Sequence, residues 1–423
     1  MSSSTLPRPV RGVRSSPGPL AVVGLVLGSM LGAAPLAAAR VQEGVPQDAR
    51  PDSIRLRKIL EIDGEFGGLT DLAVDGRGRM YVVDFVNQEI DAFSAGGDLL
   101  HRIGRKGEGP GEFAGVRDVA ISGDSLFAFD NRLKRISVFS ISDAPRFAYS
   151  ISVLNATGGQ VSNYGILAPR AGGVLVQFVP LTDPEHGEDR KIFLRRVDRH
   201  GVVDAPPVVS VPDHEWLITT DRRYGYSVSP LPFGRKSLFQ LDADDHVYHV
   251  RTDRPAVNVY TLDGRLVRSI SVPAERLPVT SSDLAYLRRS YEEYIGRQAA
   301  ALVFGRIERA HEDGRLPQYK PYYKDFVVEP AGRIWLRLVT GRDRLVSTPV
   351  GLVYRAEARG TSYSSWTVLS PSGRSIGTTT VEGDVQLYEV RNGTAYGIST
   401  DALGVHRIVV YEITGLEERR GTE

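Results

Sequence analysis

One phrase recurs along this chain at a spacing of roughly 40 to 50 residues, and nothing else in the sequence narrows the fold as much. Its first copy reads Asp71-Leu-Ala-Val-Asp-Gly-Arg-Gly-Arg-Met-Tyr-Val-Val-Asp84, then Gln88-Glu-Ile-Asp-Ala-Phe-Ser-Ala-Gly-Gly97. The second reads Asp118-Val-Ala-Ile-Ser-Gly-Asp-Ser-Leu-Phe-Ala-Phe-Asp130, then Arg135-Ile-Ser-Val-Phe139. Weaker copies lie at 238–250 with 256–264, at 325–338 with 366–373, and at 387–399 with 406–415. Each copy is two apolar strands around a tight turn, then an alternating strand that ends at an aromatic or aliphatic residue and a glycine turn. Strands apolar on both faces must be covered on both sides. Turns such as Asp75-Gly76-Arg77-Gly78, Asp263-Gly264 and Asn392-Gly393 supply the positive φ that short hairpins need.

Several strands per unit at this spacing predict propeller blades. The 423 residues would ordinarily suggest two or three domains, but a closed ring of repeats is one unit whatever its length. We count six blades, at about 66–113, 114–160, 161–211, 235–275, 320–382, and 385–415 completed by 54–62. The last repeat supplies only three strands of its own, and 54–62 (IRLRKILEI) alternates as a strand with no neighbour nearby. Pairing the two closes the ring and removes an exposed edge. The expectation is an all-β, six-bladed β-propeller over 54–415, carrying a helical insertion at about 282–313 and ending in a polar tail, 416–423.

Two segments break the pattern. Residues 212–235 read as a long irregular connection rich in Arg, Tyr and Pro, and loops of that length are usually functional or mobile. In 282–313 an apolar stripe at helical spacing runs through Leu284, Leu287, Tyr291, Tyr294, Ile295, Leu302 and Val303. Arg288–Glu292 and Arg289–Glu293 stand at i,i+4 on its other side, and Gly296 and Gly305 are the expected break points.

The N-terminus has the layout of an export signal. Arg8, Arg11 and Arg14 precede an apolar stretch, 20–36, and Ala37-Ala38-Ala39 offers a small-residue cleavage site. This predicts a signal peptide over 1–39, a linker over 40–53, and a periplasmic or extracellular protein with no membrane insertion after cleavage. The alternative is an uncleaved N-terminal anchor, since the apolar run is nearly long enough to span a bilayer. Cleavage would take formal charge from +1 to −2 by removing three arginines and no acid. A near-neutral chain leaves no nucleic-acid footprint, and with no cysteine there is neither disulfide nor thiol nucleophile.

The first two repeats resemble NHL-repeat propellers. Ile103-Gly-Arg-Lys-Gly-Glu-Gly-Pro-Gly-Glu-Phe113 is similar to that family's glycine-rich connection between blades. Asp84, Asn87, Asp130 and Arg135 occupy its Asp, Asn and Arg positions, while Glu89 stands where the first blade's Arg would be. The match covers about 66–140, and the later blades keep only the apolar frame. The resemblance extends to exported bacterial six-bladed propellers of unassigned activity. It implies that these polar residues are architectural, tying each loop between a blade's second and third strands to its neighbour.

Four other motifs fail on context. The cluster Gly104, Gly107, Gly109, Gly111 is followed by strand, not by the helix that a phosphate cradle needs. Gly373-Arg-Ser375-Ile-Gly377 sits in a hairpin turn, not the strand–turn–helix of a nucleophile elbow. Glu108-Gly109-Pro110 resembles the opening of calcium-dependent lactonase propellers, but no converging Asn and Asp ligands can be identified. His246 and His249, three apart in a strand, cannot share a metal.

One constellation remains. Loops after each second strand and connections between blades share one face of a propeller. On that face the sequence places Asp130, Asn131 and Arg132, then His214, Arg222, Arg223 and Tyr224, then Arg251 and Arg254, then Arg342 and Arg344. Arginines converging from several blades suit carboxylate or phosphate groups. The expectation is an exported, non-catalytic propeller without cofactor or metal, binding a ligand or protein that carries acidic groups. The alternatives are a propeller enzyme (a lyase resembling streptogramin lyases, or a metal-dependent lactonase) and a purely structural interaction module docking through 282–313.

Overall fold

The computed structural model describes residues 54–153, 161–180, 190–204, 206–221, 225–348, 351–356, 363–401 and 403–416. The expected signal peptide and linker, 1–53, and the tail from 417 lie outside these. Among the described residues no helix is long and apolar enough to cross a membrane.

Six four-stranded antiparallel sheets form the blades of a six-bladed β-propeller. Blade 1 is β2 (Leu69–Val74), β3 (Met80–Asp84), β4 (Glu89–Phe93) and β5 (Leu99–Ile103). Blade 2 is β6 (Val116–Ser122), β7 (Ser125–Asp130), β8 (Arg135–Ser140) and β9 (Arg146–Ser152). Blade 3 is β10 (Val161–Leu167), β11 (Val174–Pro180), β12 (Lys191–Val197) and β13 (Val209–Pro212). Blade 4 is β16 (Ser237–Leu241), β17 (Val247–Arg251), β18 (Ala256–Tyr260) and β19 (Leu266–Ser271). Blade 5 is β20 (Tyr323–Val328), β21 (Ile334–Leu338), β24 (Tyr363–Leu369) and β25 (Ser375–Glu382). Blade 6 is β26 (Asp384–Arg391), β27 (Thr394–Thr400), β28 (His406–Thr414) and, as its outer strand, β1 (Arg55–Ile62). The pairing of β1 with β28, from Arg55 opposite Thr414 to Ile62 opposite Ile408, closes the ring.

The uninterrupted apolar strands are explained by six inter-blade cores, one at each blade boundary. Met80 and Val82 point toward blade 6 and pack with Ile398, Ile408 and Val410. Tyr81 and Val83, alternating with them, point toward blade 2 and pack with Val119 and Leu126. Both faces of β3 are therefore interior, and the strand is apolar apart from the Tyr81 hydroxyl until its last residue, Asp84. The tight turns are built as the sequence predicts: Asp75 Oδ1 accepts the amides of Arg77 and Arg79, both at 2.9 Å, and Gly78 follows at φ +78°.

The glycine-rich connection is architecture. Gly104 has φ +79°, and a Cβ there would lie 2.3 Å from Phe113, which is fully buried. Arg135 clasps the loop by donating to the carbonyls of Glu108, Gly109 and Glu112. Asp84 gathers the amides of Gly67, Gly68, Val86 and Asn87, and Asp130 those of Ala114, Gly115, Arg132 and Leu133. Each carboxylate pins its own loop to the segment that enters the blade.

Three insertions depart from the sequence expectation. The connection at 212–235 is not irregular: it folds as a hairpin, β14 (Trp216–Asp221) and β15 (Gly225–Pro230), in full antiparallel register. The helical segment is two helices, α1 (Ser281–Ile295) and α2 (Arg297–Glu312). The chain breaks at Gly296, φ +79°, while Gly305 lies within α2. A second hairpin, β22 (Asp343–Thr348) and β23 (Gly351–Ala356), interrupts blade 5 between β21 and β24, where none was expected.

In an antiparallel blade read from the inner strand outward, the loop after the second strand and the connection to the next blade emerge at the same edge. All three insertions use those positions, so all three rise from one face. There they share a seventh core of Leu217, Phe233, Leu287, Phe304, Ile307 and Leu345. Segments more than 120 residues apart in sequence thus fold into one cap over the sector of blades 3 to 5.

Candidate ligand site at the capped channel mouth

The inner strands line the central channel, and most carry a register shift at an equivalent point. It falls between Leu69 and Asp71, Val116 and Asp118, Tyr323 and Asp325, and Leu387 and Glu389. An extra residue in one strand redirects the side chains that follow, and bulges recur where a chain must re-aim a group. Here the residue after the bulge is an acid in four blades.

Asp71 and Asp118 use this placement to bridge blades. Asp71 Oδ2 accepts the amide of Val119 at 2.8 Å, and Asp118 Oδ2 accepts that of Ile166 at 2.5 Å. The second bond passes over Gly165, where a Cβ would lie 2.5 Å from the carboxylate oxygen. The two carboxyls are buried and act on each other electrostatically. Desolvation raises the pKa of both, with Asp118's charge adding to the effect on Asp71. Tyr388 donates to the Thr70 carbonyl at 3.1 Å beside them, and burial holds its hydroxyl protonated.

Across the channel, Arg337 is 5% exposed and donates to Ser364 Oγ at 2.9 Å and Asp384 Oδ1 at 2.5 Å. Arg355 reaches the other Asp384 oxygen at 3.2 Å. Asp325 lies 3.5 Å from Arg337 through Oδ2, while its buried Oδ1 has no hydrogen-bond partner. Desolvation outweighs the attraction of Arg337 and Lys324 and raises the Asp325 pKa.

The cap is bolted to this rim by buried ion pairs. Lys320, on the approach to blade 5, donates to Asp283 of α1 at 2.7 Å. Lys324 of β20 pairs with Asp343 at the base of β22, 2.5 Å away. Asp283 and Thr280 also form the capping box that starts α1.

The sequence-predicted residues divide into groups. Asp130 is fully buried and structural, Asn131 accepts from Lys134 Nζ at 2.7 Å, and Arg132 is exposed. Arg222, Arg223 and Tyr224 lie outside the described residues. His214 and Arg251 are brought together: Arg251 donates to the carbonyls of Pro212 and Asp213, and His214 Nε2 lies 3.2 Å from the Ser237 carbonyl. Burial, reinforced by the charges of Lys236 and Arg251, lowers the His214 pKa to about 4 and leaves it neutral. Asp253 sits between Arg251 at 3.4 Å and Arg235 at 3.6 Å, and Arg254 is exposed close by. Arg342 and Arg344 stand at the root of the second hairpin, Arg342 exposed and Arg344 donating to the Gly341 carbonyl at 2.8 Å. The basic groups therefore form two clusters, at the blade 3–4 junction and at blade 5, with Asp130–Arg132 apart on blade 2. Among the described residues no three His, Asp or Glu side chains gather in a way that could hold a metal.

Sequence reasoning missed Asp71, Asp118, Asp325 and Arg337. A signal for the acids was present: Asp71-Leu-Ala-Val, Asp118-Val-Ala-Ile and Asp325-Phe-Val-Val each open an apolar inner strand with the same carboxylate.

Comparison with known proteins bears on the fold. The model of a family described as "6-bladed beta-propeller" matches residues 64–154, which hold the first two blades. Among solved structures, a Bacteroides fragilis protein designated as exported superposes with TM-score 0.51 at 11% identity, covering 87% of this chain and 97% of its own. Virginiamycin B lyase from Staphylococcus aureus gives 0.40 at 10% identity, covering 86% and 100%. A gluconolactonase from Xanthomonas campestris gives 0.41 at 10% identity, covering 86% and 92%. No curated protein matches the sequence significantly. The likeness to the Bacteroides fragilis protein is one of fold alone, and a shared fold does not transmit a reaction.

Proposed function

We propose that this chain is an exported propeller that binds an acidic ligand, or a partner presenting acidic groups, on its capped face without chemistry of its own. The observation that carries this reading is the cap: three insertions from separate parts of the chain rise from one face and share one core there. Among the described residues the opposite face carries no inserted hairpin or helix: its connections are turns such as Asp75–Gly78 and Asp263–Gly264 and, at the longest, the loop between β12 and β13. Building on one face alone is what a binding surface on a rigid scaffold requires. The exposed Arg254 and Arg342 flank the cap, and both lack an ion-pair partner among the described residues. Export rests on the leader-like N-terminus and on the designation of the Bacteroides relative as exported.

The test is charge reversal. Arg222→Glu, Arg223→Glu and Arg254→Glu combined should abolish the rise in melting temperature that wild type shows with acidic ligands or acidic peptides. A wild type that responds to no acidic compound, or a triple variant that responds equally, would eliminate the reading.

A further inference from the structure

Blade 3 has a short outer strand. β13 is four residues long and pairs with β12 only from Lys191 to Leu194, whereas β9 of blade 2 pairs along the whole of β8. Past Leu194 the connection 198–208 replaces a strand, and the wedge between the outer parts of blades 2 and 3 stays open. The opening lies on the face opposite the cap, where the connections from second-last to last strand emerge. It is a cleft of about 510 Å³, within the range of small-molecule sites. Phe127, Tyr149 and Ile151 of blade 2 form its apolar wall, and Val174 of blade 3 closes the other side. Along β9, Ile151 is 2% exposed, but Tyr149, nearer the open end, keeps 39% of its surface free.

The rim is polar and balanced in charge, with Arg196 and Arg199 set beside Asp198 and Asp204. Part of their bonding capacity goes to the fold. Arg196 donates from Nε and Nη2 to the carbonyls of Gly172 and Ala171, at 3.0 and 2.7 Å. Asp198 Oδ1 accepts the amides of His200 and Val202, both at 2.8 Å. These bonds fix the two side chains at the cleft and leave Arg196 Nη1 and Asp198 Oδ2 over. The Asp204 carboxylate and the Ser125 hydroxyl make no hydrogen bond to any described residue. Fixed donors and acceptors of both kinds therefore border one apolar slot. A hydroxyl both donates and accepts, so neighbouring hydroxyls match such a rim, while the C–H surface of a ring matches the wall. The opposed charges cancel, and the cleft draws neither an anion nor a cation in preference to a neutral molecule. We propose that this cleft binds a neutral sugar, its ring against Tyr149 and its hydroxyls on Arg196, Asp198 and Asp204. The site is separate from the capped face and does not depend on the function assigned to it.

Titration with glucose, galactose and cellobiose, followed by saturation-transfer NMR, tests this. At least one should bind wild type in the millimolar range, and glucuronate, glucosamine and phenylalanine should bind several-fold more weakly than that sugar. Tyr149 is a surface residue, so Tyr149→Ala should fold and weaken the best sugar about tenfold through lost apolar contact. Asp204→Ala, at an exposed position, should weaken it by roughly the same factor through loss of a charged hydrogen bond. The combined Arg222→Glu, Arg223→Glu and Arg254→Glu variant should bind the sugar as wild type does. The inference is overturned if none of the sugars binds, if a charged or zwitterionic probe binds more tightly, or if Tyr149→Ala and Asp204→Ala both keep the wild-type affinity. Loss of sugar binding in the arginine variant also overturns it, by placing the sugar on the capped face.

Discussion

Lys320 reaches back 37 residues to hold Asp283 at 2.7 Å, and the pair is almost wholly buried, at 4% and 2% side-chain exposure. A lysine at the edge of blade 5 thereby fixes the first turn of a helix in the cap. Breaking such a pair from one side strands a buried charge, which costs far more than the intact pair contributes. Lys320→Met should therefore destabilise the protein by about 3 kcal/mol in urea unfolding. Adding Asp283→Asn should restore much of the loss, because both charges are then gone. A double variant no more stable than the single would show that the pair has no such role.

The Asp71–Asp118 pair predicts a pH dependence of definite sign. Both carboxyls have folded pKa values raised above the unfolded value of 3.8, so the folded state binds more protons just above that value. Their contribution to stability is therefore greatest at low pH and is lost as pH rises through the folded pKa values. Asp71→Asn keeps an acceptor for the Val119 amide and removes the repulsion. Measured by urea unfolding from pH 4 to 8, it should gain on wild type as pH rises, by about 1–2 kcal/mol at neutrality. A constant difference across that range would refute the upward shift of the pair.

His249 works in the opposite direction. It is 4% exposed, lies 5.0 Å from the Phe239 ring, and neither ring nitrogen has a hydrogen-bond partner. Burial, with the nearby charges of Arg251 and Arg254, lowers its pKa to about 4. The unfolded state takes up the proton first as pH falls, so stability is lost between about pH 6.5 and 4. His249→Phe should flatten that limb and leave neutral stability unchanged or raised by about 1 kcal/mol. Steeper acid lability in the variant would contradict this.

Removing residues 54–62 takes away β1 and bares the edge of β28. The expected result is loss of cooperative unfolding and concentration-dependent association, measured by size-exclusion chromatography and thermal melts. A truncated protein that stayed monomeric and melted like wild type would show that the closing strand is dispensable.

The frame was legible in the sequence because blade physics is local and repeated. Asp75–Gly78 must turn, the strand Met80–Asp84 must be covered on both faces, and 54–62 needs a partner that only the last repeat can offer. The cap was not legible. Its core joins Leu217, Leu287 and Leu345, each an unremarkable apolar residue in its own segment, and no periodicity links them. The hairpin at 216–230 read as irregular because Arg, Tyr and Pro obscure its alternation. The acids of the channel were visible as letters, but their burial and mutual influence depend on bulges and on neighbouring blades.

The pairing of Arg55 with Thr414 has a consequence for how this molecule acquires its structure. The outermost strand of the sixth sheet is the first described segment to emerge during synthesis, and its partner is nearly the last. Every other sheet can assemble from a stretch of neighbouring sequence, apart from the detour through 343–356. The ring itself must wait until some 350 intervening residues have arranged themselves. Loop closure on that scale is slow and is reached late. Until then residues 54–62 need keeping out of other pairings, and a chain crossing a membrane from its N-terminus would carry them over open-ended, to be locked only from the far side.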